Sequence, residues 1–211
     1  MNNQEMLSEE QVDFLREMMN IGAGNAATAL GQMLRCQVNM EIPLAHVLPV
    51  PKVFSVLGDP SLPVACVRMG MVGDVVGELF FIVPAGQRAD LTHLAERAMP
   101  GPTKKAPDLD LSVLTEIGNI LVGVYLTAIH DFCQLHIYHT VPTIAIDMIQ
   151  SLLDESIVAL SPHVRALILI ENEFIVEERH IRTFLLLIPA VQSVRTLVDS
   201  VEGARMAYGS E

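Results

Sequence analysis

The sequence predicts an α+β fold made of two pseudo-symmetric halves, and three observations predict it. A polar stripe occurs twice, as Asp13-x3-Glu17-x2-Asn20 and as Ser112-x3-Glu116-x2-Asn119, 99 residues apart. The same offset relates Gly24 to Gly123 and Pro43 to Pro142, with twenty-two residues between each Asn and its proline. Each half then runs in the same order: a long helix, a strand, two apolar runs that read as a hairpin, and a closing helix. A match at one fixed period over this many positions marks an internal duplication. The predicted halves are about 8–99 and 108–203, joined by a linker at about 100–107, within one domain covering 1–211.

Each element has a local reason. Residues 1–7 read as a loose start. Ser8 with Gln11 three residues on is a capping box, and Glu9 and Glu10 suit the positive end of the helix dipole. The helix is predicted over 9–34, although Gly22, Gly24 and Gly31 each cost about 1 kcal/mol against Ala. Residues 36–48 read as a strand whose Pro43 sits at an edge or an end, because proline cannot donate to a ladder. Residues 53–57 form a short segment bracketed by prolines. The runs 64–71 and 75–83, joined near Gly73-Asp74, predict a hairpin. Pro84 ends that strand and opens a helix to about 99. Pro100-Gly-Pro-Thr-Lys-Lys-Ala-Pro107 is the linker.

The second half repeats the plan. A helix starts near 108, and 134–149 echoes the strand with the motif proline. The runs 164–170 and 181–188 predict the second hairpin, with 171–180 as a longer charged turn. Ile188-Pro189-Ala190-Val-Gln192 echoes Val83-Pro84-Ala85-Gly-Gln87 at an offset of 105, so the second half holds six extra residues. The last helix is predicted to about 202, with 203–211 frayed.

Composition narrows the function. The 211 residues are 51% apolar but only 5% aromatic, which predicts an aliphatic core. A net charge of −12 disfavours nucleic acid as a partner. Cys36, Cys66 and Cys133 form no close pair and no signal peptide precedes them, so reduced thiols in a cytoplasmic protein are expected. No uncharged apolar run reaches about 18 residues, so no membrane insertion is expected.

Helical geometry makes the stripe a candidate site. At about 100° per residue, Asp13, Glu17, Asn20 and Gly24 fall within about 60° of one another, and so do Ser112, Glu116, Asn119 and Gly123. The apolar positions lie elsewhere: Phe14, Leu15, Met18 and Met19 in one copy, Val113, Leu114, Ile117 and Leu121 in the other. Each line therefore faces water or a partner, and its glycine leaves room for a close approach. Two plainer readings compete. The stripe could be a solvated face, or its Asn could be a buried bond between helices. Solvated positions drift after duplication, yet the same Glu and Asn stand at the same spacing twice. A buried bond accounts for Asn better than for a carboxylate one turn away.

The pattern [Asp/Ser]-x3-Glu-x2-Asn-x22-Pro in both halves, with the stretch Asn20-Ile-Gly-Ala-Gly-Asn-Ala-Ala-Thr-Ala-Leu30, resembles the signature of the CheC/CheX/FliY family of aspartyl-phosphate phosphatases. The resemblance implies that the halves share one β-sheet flanked by the two motif helices. It implies hydrolysis of the phospho-aspartate on a CheY-type response regulator, and in several species a second partner, the receptor deamidase CheD. It assigns Asn20 and Asn119 to hold the attacking water, and Glu17 and Glu116 to dock on a cation beside the phosphate, the regulator's lysine. Asp13, Ser112, Pro43 and Pro142 are supporting positions, and Asp13 and Ser112 are expected to orient the Glu. Mg²⁺ belongs to the regulator, so this chain is expected to bind no cofactor and no metal.

The residue types suit that chemistry. An acyl phosphate is already reactive, so its hydrolysis needs a water held in line more than it needs covalent help. A carboxamide can hold one, because it both donates and accepts hydrogen bonds. The stripe offers no Cys, His or Lys as a nucleophile. A non-enzymatic module that sequesters phosphorylated CheY or regulates CheD is the alternative. A retained Asn favours catalysis, because a docking face alone would accept many polar residues there.

Other constellations are weaker. Cys133, His136 and His139 have a metal-like spacing, but on a strand residues three apart point to opposite faces. His46, His93, His130, His163 and His180 are scattered. Gly22-Ala-Gly24 lacks the lysine and the preceding strand of a phosphate loop. The methionines of the first helix read as core filling.

Overall fold

Helix α1 (Glu9–Leu34) starts where the capping box places it. The Ser8 hydroxyl accepts from the Gln11 amide, and the Gln11 side chain accepts from the Ser8 amide. The structure is a computed structural model that describes residues 7–98, 107–160 and 167–208. Leu15, Met18, Met19, Ala23, Ala26, Leu30 and Leu34 form the buried side of α1. Each fully buried Leu or Met on such a face is worth about 1.5–3 kcal/mol. Arg35 closes the helix in the left-handed region, at φ 52°. Gln134 does the same 99 residues later, at φ 55°, after α4 (Pro107–Cys133).

The edge strands are not the single segments the sequence predicts. Each is broken at its motif proline, into β1 (Asn39–Met40) and β2 (Leu44–Leu48) in the first half and β5 (Ile137–His139) and β6 (Thr143–Met148) in the second. Register gives the reason. Between the pairs Met40↔Phe174 and Leu44↔Glu171 the edge strand advances four residues and its partner three. Between His139↔Met71 and Thr143↔Arg68 the counts are the same. Each motif proline therefore sits in a bulge on an edge strand, where a missing N–H costs no ladder bond.

The hairpin β3 (Pro63–Gly73) and β4 (Gly77–Pro84) forms as predicted. The second hairpin differs. β7 (Leu167–Val176) and β8 (Arg179–Pro189) run on through the stretch read as a charged turn, and only Glu177-Glu178 turns. Both glutamates have positive φ, 49° and 65°. The charges are cross-strand pairs: Glu171 with Arg182 at 2.5 Å and Glu173 with His180 at 2.6 Å.

One eight-stranded antiparallel sheet results, in the order β1-β7-β8-β4-β3-β5, with β2 also on β7 and β6 also on β3. The edge strand of each half thus pairs with the hairpin of the other. At the centre Phe81 of β4 lies opposite Leu185 of β8. Both face the same layer, whereas Leu186, the match expected from the offset of 105, faces the opposite one.

Helices cover both faces of the sheet. α1, α4, α3 (Ala85–Ala98) and α6 (Val191–Tyr208) share one core with Ala65, Val67, Met69, Leu79 and Phe81. The opposite core forms under α2 (Phe54–Leu57) and α5 (Ile149–Leu160). The two motif helices lie side by side on one face of the shared sheet. α5 has no counterpart in the sequence reading, and it takes up the extra length of the second half. α6 runs to Tyr208, six residues beyond the predicted end, through Gly203. The expected linker falls, but for Pro107, outside the described residues, as do 1–6 and 209–211 of the predicted loose ends.

α4 is apolar enough to raise the membrane question. Its segment Leu111–Cys133 has a mean hydropathy of 1.6, sufficient by length and composition to span a bilayer. In the fold that apolarity is used as core: Val113, Leu114, Ile117, Leu121, Val122 and Tyr125 are all buried.

Candidate functional site

The seam between α1 and α4 decides which side of each helix is left to water. Gly22 brings the backbones close, and a Cβ there would stand 3.1 Å from Tyr125 Cδ1 and 3.5 Å from Ala128 Cβ. Cys133 donates to Met18 Sδ across the same seam at 3.7 Å. With that side packed, the stripe is turned outward. Asp13, Glu17, Asn20 and Gly24 are exposed, as are Ser112 and Glu116, while Asn119 and Gly123 are half-buried. Both predicted lines are therefore assembled as lines on the surface.

The Glu and Asn side chains of the stripe are uncommitted. Among the described residues, the side chains of Glu17, Asn20, Glu116 and Asn119 make no hydrogen bond or ion pair. On each helix the Glu and Asn are three residues apart, which puts their Cβ atoms about 5–6 Å from each other. At Gly24 and at Gly123 an added Cβ would meet nothing within 4 Å. Each site is thus a carboxylate, a carboxamide and a bare patch of backbone, all open to an incoming surface. A pair of groups with no internal partner contributes little to the fold, so its value lies in what it meets.

Asp13 already has a partner. Its carboxylate takes Arg16 Nη1 at 2.7 Å, and Arg16 Nε donates to the Ala45 carbonyl on β2 at 3.3 Å. It pairs with Arg16, and Asp13 and Glu17 both line one open recess. The two supporting prolines lie outside the stripe, at the bulges of the edge strands.

Some matching features escaped the sequence reading although the offset was there to find them. The Thr28 hydroxyl donates to the Gly24 carbonyl at 3.1 Å, and the Thr127 hydroxyl donates to the Gly123 carbonyl at 2.8 Å. The two threonines stand 99 residues apart. They occupy the carbonyl of each open glycine, which leaves the stripe side free. Ile21 and Ile120, one residue beyond each Asn, repeat at the same offset.

The metal-like triplet does not lie on one strand. Cys133 is the last residue of α4, and burial pushes its thiol up to about 11. The His136 ring lies 4.7 Å from the His130 ring, centroid to centroid. His139 Nδ1 is 3.1 Å from the Thr140 carbonyl oxygen. Among the described residues no three His, Cys, Asp or Glu side chains form a group that could hold a metal ion.

Comparison with known proteins matches this geometry. The profile of the CheC-like family matches residues 10–44 and 109–146, which are the two motif helices with their edge strands. The CheY-P phosphatase CheC of Bacillus subtilis (strain 168) is 37% identical over 165 residues, covering 74% of this chain and 75% of that protein. Among solved structures, FliY of Thermotoga maritima superposes with a TM-score of 0.70 at 17% identity, over 94% of this chain and 98% of that one. The FliM middle domain from H. pylori gives 0.63 at 14% identity, over 92% and 99%. These two structural likenesses establish a shared fold. The extent of the Bacillus match, together with a stripe present in both halves, establishes more: this chain belongs to the CheC-like family.

Proposed function

We propose that this protein is a chemotaxis phosphatase that hydrolyses the phospho-aspartate of a CheY-type response regulator. The observation that carries the reading is the duplicated Glu/Asn line, at the surface, its side chains without internal partners, beside a glycine with open space. The relative that is 37% identical carries the name of that activity.

Asn20 and Asn119 are the catalytic carboxamides in this reading. Their oxygen accepts from a water and their N–H₂ donates, which holds the water in line with the bond to be broken. The water attacks phosphorus, the bond from phosphorus to the aspartyl oxygen breaks, and carboxylate and inorganic phosphate leave. Glu17 and Glu116 dock on the regulator's lysine beside the phosphate and so orient the complex. Mg²⁺ is supplied by the regulator and no cofactor by this chain. The setting is the cytoplasm, where a CheY-type regulator diffuses, and CheD is a second partner.

The test is the decay of a phosphorylated CheY-type regulator with Mg²⁺, with and without this protein. Wild type is expected to speed decay. The Asn20→Ala/Asn119→Ala variant is expected to lose about 100-fold or more, since misplacing a reacting group costs on that order, while still binding the regulator. If the double variant turns over like wild type, the site assignment is wrong. If wild type binds without speeding decay, even with CheD added, the chain is an adaptor.

A further inference from the structure

We infer that the first site is extended by a wall of Phe and Tyr rings whose positions are not repeated at the second, and that this wall receives a bulky apolar side chain of the docked regulator. The inference rests on the phosphatase reading of the stripe.

Aromatic rings are scarce in this chain, with seven Phe, three Tyr and no Trp. Three of them meet beside the first stripe from three different helices. Phe14 of α1 meets Phe132 of α4 edge to face at 6.4 Å, and Tyr208 of α6 packs on both, at 6.5 and 5.3 Å. Rings that only anchored the end of α6 would be covered. Here Tyr208 is 51% exposed, and Ile21, one turn beyond Glu17, is 48% exposed. Asp13 and Glu17 of the stripe line the same open recess as these groups.

Position fixes the occupant. Glu17 and Ile21 are four residues apart on one helix, so they are about 5–6 Å apart at Cβ. A protein that seats its phosphate on Asn20 covers about 800 Å² of this chain in a standard interface. Such a footprint reaches Ile21 and the rings behind it. What enters a recess floored by aromatic carbon is a bulky apolar side chain, the type that dominates interface energies. Of the rim carboxylates, Glu10 pairs with Arg205 at 2.9 Å and Asp13 with Arg16 at 2.7 Å, which leaves Glu17 without an internal cation. The surface around the entering group on the regulator is therefore basic.

The second site is built differently. The residue 99 positions after Phe14 is Val113, which is fully buried, and the one 99 positions before Phe132 is Met33. The rings near the second stripe are of another kind and at its other end, where Gly123 lines a recess with Tyr138, His130, His136 and His139. Duplication retained the Glu/Asn line in both copies and the Phe14, Phe132 and Tyr208 cluster beside one.

The test isolates each site. In an Asn119→Ala background, which leaves the first site, Tyr208→Ser is expected to raise KM for the phosphorylated regulator about tenfold with kcat little changed, as when an interface is deprived of an aromatic anchor. In an Asn20→Ala background, which leaves the second site, the same change is expected to leave KM and kcat unmoved, and this also reports an intact fold. Ile21→Ser should follow Tyr208→Ser. Equal effects in both backgrounds, no effect in either, or a loss in kcat alone would overturn the wall. If the Asn20→Ala/Asn119→Ala protein keeps its turnover, the site reading fails and takes this inference with it. If that protein is inactive while Tyr208→Ser changes nothing, the wall alone is refuted.

Discussion

Replacing the open glycines should make the protein more stable and less active at the same time. At Gly24 and Gly123 an added Cβ meets nothing within 4 Å. Both positions lie inside long helices, where Gly costs about 1 kcal/mol against Ala. Gly24→Ala and Gly123→Ala should therefore each stabilise by about 1 kcal/mol, raising Tm by about 2–4 °C for a chain of this size. Gly22 and Gly118, packed in the same two helices, predict the reverse sign. A Cβ at Gly22 comes within 3.1 Å of Tyr125, and one at Gly118 within 2.9 Å of Phe81. Overpacking of about 1–3 kcal/mol there equals or exceeds the propensity gain. Leu has nearly the helix propensity of Ala, so Gly24→Leu should keep the added stability while projecting four carbons into the docking face. Turnover at the first site, measured by regulator decay in an Asn119→Ala background, should fall at least tenfold. Denaturant unfolding supplies the stability half of the test. A loss of stability in Gly24→Ala would mean that the space is not open. A gain of stability in Gly24→Leu with full turnover would mean that no surface approaches that glycine, and the docking geometry would be wrong.

Three further outcomes follow from named contacts. Glu17→Gln and Glu116→Gln remove a charge and no internal bond, so stability should hold within about 0.5 kcal/mol. Regulator affinity should fall about tenfold per site and lose part of its salt dependence; unchanged affinity would remove the carboxylates from docking. The buried Tyr125 hydroxyl donates to Asn172, whose Nδ2 has no partner. Tyr125→Phe should cost about 1–3 kcal/mol by orphaning a buried amide oxygen, and a cost under about 0.5 kcal/mol in urea would contradict that bond. Burial pushes the Cys66 thiol up to about 12 and the Cys133 thiol up to about 11, from an ordinary 9.0. Raised native values mean that the folded chain keeps protons the unfolded chain releases. Stability should therefore be intact below pH 9 and decline between about 9 and 12. Cys66→Ala/Cys133→Ala should flatten that decline in urea titrations at pH 8 and 10.5; an unchanged slope would assign it to other groups.

What the sequence could reveal was whatever is decided locally or twice. Ser8 and Gln11 cap α1 through contacts three residues apart, so its start was readable. The stripe repeats at one offset, so the candidate site was readable even though its Glu and Asn side chains are held by no neighbour. Pro43 and Pro142 announced an edge, but the bulge is a count against β7 and β3, distant partners that local pattern does not register. Glu177-Glu178 carries none of the Asn-Gly signal of a two-residue hairpin turn, so the charges looked like a long loop until their cross-strand partners were known. Gly203 suggested a helix end, yet it lies inside α6 with open space around it. The ring cluster had no signal at all, since positions 14, 132 and 208 meet only through packing.

The exchange of edge strands explains why two sites persist in one chain. β2 has its ladder partner, β7, in the second half, and β6 has β3 in the first. A half on its own would keep only a two-stranded hairpin, which is marginal in water. The helices are locked as well, because Gly22 seats α1 against Tyr125 of α4. The fold thus obliges the chain to keep both helices, but it does not oblige either helix to keep its stripe. Glu17, Asn20, Glu116 and Asn119 support nothing inside the molecule, whereas the packed positions beside them have diverged, Phe14 against Val113 and Met19 against Gly118. Folding accounts for two helices; only something docking from outside accounts for two copies of the same Glu and Asn. The divergence of the neighbours then implies that the two copies meet that partner on unequal terms.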